Sequence, residues 1–242
     1  MTQSDLLSQE RYNPFRSIPR KKLELTVQDL HKQFSDENGV LTPSGGKLID
    51  AVQRYYEANI PVDYWFREMS KFSGDKTLVK QYNMLAKNVA DTYKNGLRIC
   101  FAGKHGSGKT MTAACILKRV VETGKYEALY ANLTDVVNIL VSYNEDKHEA
   151  RRLLLSVDFL VIDEFDQRFM GTDNAADLFG RIIEPILRTR IQNRLPLLLC
   201  TNSPSVTSGF VGDLKMSISS LMKLVKTVPV LGKDYRDEEG GG

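Results

Sequence analysis

The chain has 242 residues, 42% of them hydrophobic and 26% charged, with 33 Lys and Arg against 30 Asp and Glu for a net charge of +3. This is ordinary for a globular protein, and so mild a basic excess does not by itself argue for nucleic acid. The length allows one α/β domain with an appendage, or two small domains. No apolar run reaches the roughly 18–20 residues needed to span a bilayer, and the start, Met-Thr-Gln-Ser-Asp-Leu-Leu, lacks a basic-then-apolar leader. The cysteines, Cys100, Cys115 and Cys200, form no C-x-x-C pair and sit near no histidine cluster. They predict buried, reduced thiols, no zinc site and a cytoplasmic location.

Residues 1–22 are polar, carry Pro14 and Pro19 and end in Arg20-Lys21-Lys22. They predict a flexible arm whose basic end is either a solvated tail or a contact for nucleic acid or an acidic partner. Leu25, Val27, Leu30 and Phe34 then follow helical spacing, with Thr26 as candidate N-cap. Gly45-Gly46 predicts a break, and Leu48, Val52 and Tyr55-Tyr56 a second helix. A piece this short rarely holds a core alone, since chains below about 40 residues need a metal, a disulfide or a partner. It therefore packs on the main domain or on another protein. The aromatic segment Ile60–Phe66, with the only Trp, reads as an anchor for a linker; lining a base pocket or a partner groove is the competing reading. From Lys76 to Lys94, Leu78, Tyr82, Leu85, Val89 and Tyr93 lie on one stripe, with Ser73 or Asp75 to cap the start and Asn95-Gly96 to stop it. One amphipathic helix is expected.

From residue 97 strands and helices alternate: strand 97–102, helix 109–123 stopped by Gly124, strand 126–132, and a helix from Thr134 and Asp135 to about Tyr143. A polar break at 144–148, a short helix 148–156, a strand at 159–162, a long helix 174–194 and a strand at 195–200 follow. Phe159-Leu160-Val161-Ile162 has no polar alternation, as befits a fully buried parallel strand. The pattern predicts an α/β fold of three layers, a parallel sheet with helices on both faces. The expected organisation is an arm and helical appendage over 1–57, a linker and docking helix over 58–96, a catalytic core over 97–237 and a tail over 238–242.

The chemistry concentrates after the first strand of that core. Gly103-Lys104-His105-Gly106-Ser107-Gly108-Lys109-Thr110 fits G-x-x-x-x-G-K-[ST] in a strand–loop–helix setting, the phosphate-binding P-loop. The glycines let backbone N–H groups turn onto a polyphosphate, and the helix N-terminus adds positive potential. Lys109 is expected on the β- and γ-phosphates, the Thr110 hydroxyl on Mg²⁺, and Met111 beside them on the first helical turn. The bland alternative, a chance glycine-rich turn, would not need this setting. Asp158–Ile162 runs into Asp163-Glu164, where Asp163 is suited to hold Mg²⁺ and Glu164 to polarise the attacking water. A solvated acidic turn is the competing reading. Asn202, after the apolar run Leu197–Cys200, is suited to bond both the γ-phosphate and the water, or merely to cap a loop. These residues predict hydrolysis of a nucleoside triphosphate.

In this order the elements are similar to an AAA+ ATPase, and they more closely resemble the bacterial helicase loaders DnaC and DnaI and the transposition ATPase IstB. The resemblance covers about 58–237. It rests on Ile60-Pro61 with Tyr64-Trp65, the Walker B segment Val157–Glu164, Arg190 six residues before Pro196, Thr201-Asn202-Ser203, and Gly232-Lys233-Asp234-Tyr235-Arg236. The last follows the family's G-x-S-Y-R ending with Asp234 in place of Ser, and makes Arg236 a sensor 2-like nucleotide contact. The resemblance implies an AAA+ core without a helical lid, ATP with Mg²⁺ as cofactors, and a nucleotide-dependent homo-oligomer. The implied partners are a replicative hexameric helicase, held through the N-terminal region, and single-stranded DNA. ATP rather than GTP also follows from the family, since no Asn-Lys-x-Asp motif is present. An IstB-like ATPase that coats duplex DNA and recruits a transposase is the alternative. A nucleotide-dependent interaction switch is another, and a small-molecule kinase is disfavoured by Asp163-Glu164 with Asn202.

Two features depart from the family or extend it. Its Asp-Arg-Leu, whose arginine enters the neighbouring subunit's site, has no arginine counterpart in Asp213–Leu224, and lysine lacks arginine's planar fork. Weak intrinsic hydrolysis is expected, or an arginine supplied by a partner or by Arg188, Arg190 or Arg194. The first 57 residues match nothing in the family and have no zinc ligands of the DnaI kind. Lys147, Arg151 and Arg152, within the stretch where initiators and loaders carry an extra helical element, are candidates for tracking a single strand's phosphates. Solvated helix faces are the equal alternative.

Overall fold

The structure, a computed structural model, describes residues 11–142, 145–165, 173–203 and 212–232. Its centre is a parallel sheet of β1 (Arg98–Gly103), β2 (Ala128–Asn132), β3 (Phe159–Asp163), β4 (Leu197–Thr201) and β5 (Lys226–Val230), in the order β2-β3-β4-β1-β5. β3 and β4 are buried along their whole length, as their unbroken apolar runs require of strands covered on both faces.

Helices cover each face. On one lie α1 (Arg20–Phe34), α2 (Pro43–Glu57), α3 (Lys76–Lys87), α4 (Val89–Lys94) and α5 (Lys109–Glu122), packed on Phe101, Phe159, Val161 and Leu198. On the other lie α6 (Leu133–Val141), α7 (Asp146–Ser156), α8 (Asp173–Gln192) and α9 (Gly212–Met222), packed on Leu160, Ile162, Leu197 and Leu199. Adjacent strand residues thus feed opposite cores, the period-two rule of a pleated strand. The three-layer expectation holds. Among the described residues no helix is long and apolar enough to cross a membrane.

β5 had no counterpart in the sequence reading. Lys226-Thr-Val-Pro-Val is short and contains Pro229, which cannot donate to a ladder and belongs at a sheet edge. It pairs only with β1, and it does so closely: a Cβ on Gly103 would lie 2.3 Å from Val230 O.

The N-terminal third also differs in detail. The arm expected to be flexible is, from residue 11, laid on the domain: Phe15 is buried, and Arg16 stacks over the Tyr56 ring, 4.3 Å from its centroid. Asn59, in the left-handed region at φ 56, ties the pieces together. Its Nδ2 donates to Phe15 O (2.7 Å) and Tyr130 O (3.0 Å), and its Oδ1 accepts from Ser17 N (3.1 Å). α1 starts at Arg20, so Thr26 is no cap: it lies inside the helix, its hydroxyl donating to Lys22 O at 2.9 Å. Gly45-Gly46 does not break the chain but sits in the first turns of α2. Thr42 caps that helix, and a Cβ on Gly45 would meet Phe34 Cβ at 2.5 Å, so the glycine lets α1 and α2 touch. The single helix expected over 76–94 is two, because Asn88 ends α3 and caps α4, its side chain accepting from Asp91 N at 3.1 Å. Asp75 caps α3 as expected, accepting from Thr77 N at 2.7 Å. Trp65 is the linker anchor, 1% exposed, with Nε1 donating to Ile60 O at 2.8 Å.

Candidate nucleotide site

The parallel sheet directs the carboxyl ends of β1, β3 and β4 to one edge, where ligands of open α/β sheets bind. β1 ends at Gly103. The loop turns through Gly106 (φ 68) and Gly108 (φ 91), conformations open to glycine, and α5 starts at Lys109. A Cβ at Gly108 would stand 2.4 Å from Phe72 Cζ, so the linker ring backs the loop. Lys104 and His105 are exposed at its lip, Ser107 is buried, and Thr110 and Met111 are half-buried on the first helical turn.

Lys109 is buried, and its Nζ donates to Gly103 O (2.9 Å), Lys104 O (2.6 Å) and Ser107 Oγ (3.3 Å). The ammonium is therefore held in a ring of loop oxygens, which phosphate oxygens would replace.

At the end of β3, Asp163 is buried and faces the α5 side, as Phe159 and Val161 do. Its Oδ1 accepts Glu164 N at 2.7 Å, and its Oδ2 accepts the Tyr130 hydroxyl from β2. Glu164 has a positive φ of 51, a costly setting for a residue with a Cβ and one that concentrates at functional sites. Its Oε2 accepts from Asn132 Nδ2 at 2.9 Å, while Asn132 Oδ1 caps α6 by accepting Thr134 N at 2.9 Å. Asn132 stands opposite Asp163 in the ladder. Burial, and then the charge of Glu164, raise the Asp135 carboxyl above its usual range.

β4 lies between β1 and β3, with Thr201 beside Ala102, so Asn202 follows at the tip of the strand that separates Lys109 from Glu164. The sequence-predicted Gly103–Met111, Asp163, Glu164 and Asn202 are thus brought to one edge of three adjacent strands. β5 ends beside Gly103, but Arg236 lies outside the described residues. Two residues of this site were missed. Tyr130 and Asn132 are two apart on β2 and reach one carboxylate each, but the sequence marked both only as part of a strand.

A hard cation suits this donor set. Thr110 offers a hydroxyl and Asp163 a carboxylate, and no group of three or more His, Cys, Asp or Glu suited to a metal exists among the described residues. Mg²⁺ needs no such cage, because it binds through one or two carboxylates plus substrate phosphates. The residues fit that ion.

The arginine candidates separate sharply. Arg190 is 0% exposed and donates to Leu154 O (3.0 Å), Val157 O (2.9 Å), Asp158 O (3.2 Å) and Pro196 O (2.8 Å). It clamps the end of α7 to the starts of β3 and β4, and burial lowers its guanidinium pKa. A side chain so enclosed cannot reach a neighbouring subunit, which removes Arg190 as a trans-acting arginine. Arg188 is half exposed and bonded to Glu184 and, at 3.0 Å, to Ser217 on α9; Arg194 is exposed. Lys147 and Arg151 are exposed on α7, while Arg152 pairs with Glu149. Tyr12 bonds Asp146 and the adjoining Arg11 pairs with Glu127, just before β2, so this basic group lies toward the edge of the sheet opposite the P-loop.

These features together define the AAA+ type of P-loop NTPase fold. Within it the fold is similar to those of DnaC and DnaI. It matches a DnaI structure at 16% identity and TM-score 0.57, over 72% of this chain and 93% of that one. It matches the DnaC helicase loader at 16% and 0.56, over 70% of this chain and 99% of that one. A replication initiator DnaA bound to AMPPCP and single-stranded DNA matches at 17% and 0.52, over 71% of this chain. The chain spans about half the length of that DnaA and of an AMPPCP-bound DnaA from Aquifex aeolicus. No family model matches this sequence, and no curated protein does.

Proposed function

We propose that this chain binds ATP with Mg²⁺, hydrolyses it slowly, and acts as an ATP-dependent loader of a replicative DNA helicase onto single-stranded DNA. The observation that carries the hydrolase part is the strand order. With β4 between β1 and β3, the lysine, the carboxylate pair and the asparagine converge on one edge. In this reading Lys109 exchanges its loop carbonyls for β- and γ-phosphate oxygens, and the N-terminus of α5 adds its dipole. Thr110 and Asp163 would hold Mg²⁺, which when bound offsets the charge that develops on the phosphates. Glu164 accepts a hydrogen bond from the attacking water, and Asn202 orients that water against the γ-phosphate. While Asn132 bonds Glu164, one oxygen of that base is occupied, which accords with slow turnover.

The loader part is supported by fold likeness to DnaC across nearly all of that chain. The helical region α1–α2, the exposed cations of α7 and the nucleotide site would then serve helicase, DNA and ATP. The test is light scattering with ATP and Mg²⁺, with and without a short single strand, for the wild type and Glu164→Gln. Assembly driven by ATP and DNA and trapped by Glu164→Gln, followed by capture of a hexameric helicase, is expected. A monomer whose ATP binding ignores DNA would leave only a nucleotide switch, and filaments on duplex DNA would favour transposition.

A further inference from the structure

β2 hands one side chain to Asp163 and one to Glu164, the carboxylates at and just past the end of β3, and neither contact has a counterpart in the sequence motifs. The Tyr130 ring is buried in the core beneath α5. Its hydroxyl donates to Asp163 Oδ2, whose companion Oδ1 is already taken by Glu164 N. From the other neighbouring strand, Cys200 of β4 turns its thiol to the same carboxylate, and burial first, then Asp163, push that thiol far above its usual range. Each oxygen of the buried carboxylate thus has a donor, as a desolvated acceptor requires.

We propose that Tyr130 is the positioning residue of the Walker B carboxylate, its hydroxyl fixing Asp163 Oδ2 from outside the coordination shell so that the carboxylate is oriented to receive Mg²⁺. A phenol suits this task because it satisfies an oxygen without neutralising its charge. A phenol, with an ordinary pKa of about 10, is a neutral donor at working pH without any special environment. Groups that orient a metal ligand from outside the coordination shell commonly account for about 10–100-fold in metal affinity. The inference rests on the nucleotide reading above.

The test is Tyr130→Phe, which removes one oxygen and keeps the ring in the core. Mn²⁺ binding is followed by electron paramagnetic resonance with AMPPCP present, and AMPPCP binding is measured separately in EDTA. The expected result is Mn²⁺ affinity weakened at least about tenfold, with metal-free AMPPCP affinity unchanged. Equal Mn²⁺ affinity in variant and wild type overturns the role of Tyr130 while leaving the nucleotide site intact. Failure of the wild type to bind AMPPCP at all overturns the nucleotide reading and this inference with it. Should Tyr130→Phe not fold, wild-type protein with Cζ-labelled tyrosine decides: the Tyr130 resonance shifts on adding Mg²⁺ to the AMPPCP complex if the phenol orients the ligand, and a stationary resonance refutes it.

Discussion

Replacing Arg190 with Met separates a structural clamp from a catalytic arginine. The variant keeps an unbranched apolar stem, ends it where the guanidinium begins, and removes four hydrogen bonds, to Leu154 O, Val157 O, Asp158 O and Pro196 O. Pro196 O retains the bond from Leu160 N, so up to three carbonyls lose their partner. Each buried orphan costs about 1–3 kcal/mol, partly offset because a desolvated cation is no longer buried. A net loss of about 4 kcal/mol follows. For a domain of this size 1 kcal/mol moves the midpoint by about 2–4 °C, so melting falls by about 8–16 °C. Differential scanning calorimetry measures it, with Arg188→Ala as comparison. Arg188 is half exposed, and its pair with Glu184 is worth about 0–1 kcal/mol, so that variant melts within about 4 °C of wild type. An Arg190→Met protein that melts with the wild type but loses ATP turnover would refute the clamp and restore a catalytic arginine.

Three other outcomes follow from the same geometry. Asn132→Ser keeps an oxygen to cap α6 but releases Glu164. Losing one hydrogen bond to a charged group, about 1.5 kcal/mol, raises basal ATP turnover by about tenfold in single-turnover assays; an unchanged or lower rate rejects the holding role. Burial pushes Cys100 up to about 12 and Cys115 up to about 11, and raises Cys200 as well. Native protein at pH 8 therefore leaves Ellman's reagent uncoloured until urea is added, and a fast-reacting native thiol contradicts this. Lys147→Ala with Arg151→Ala weakens single-strand binding and lowers its salt slope by up to about 1.4, whereas Arg152→Ala, already paired with Glu149, does less. Equal affinity across all three in fluorescence anisotropy sinks the assignment of this face to DNA.

Where the sequence sufficed, the physics was local. The glycine spacing of the P-loop, the unbroken apolar runs of β3 and β4, and the carboxylates after β3 state their own conformations, because backbone freedom and burial are written in consecutive residues. Lys109, Asp163 and Glu164 were therefore legible before any fold. The tertiary structure decided what depends on neighbours distant in the chain. β5 needed β1, since a strand with a proline is stable only at an edge that Gly103 lets it approach. In sequence Arg190 is marked by the family resemblance and stands beside Arg188 and Arg194 as a candidate arginine, with nothing to tell the three apart. Only the meeting of α7 with the starts of β3 and β4 encloses it with four carbonyls. Tyr130 and Asn132 carry no motif at all: they matter because parallel pairing of β2 with β3 brings a phenol and an amide to two carboxylates more than thirty positions away. Hydrogen-bond partners across a sheet are set by register, and register belongs to the folded chain.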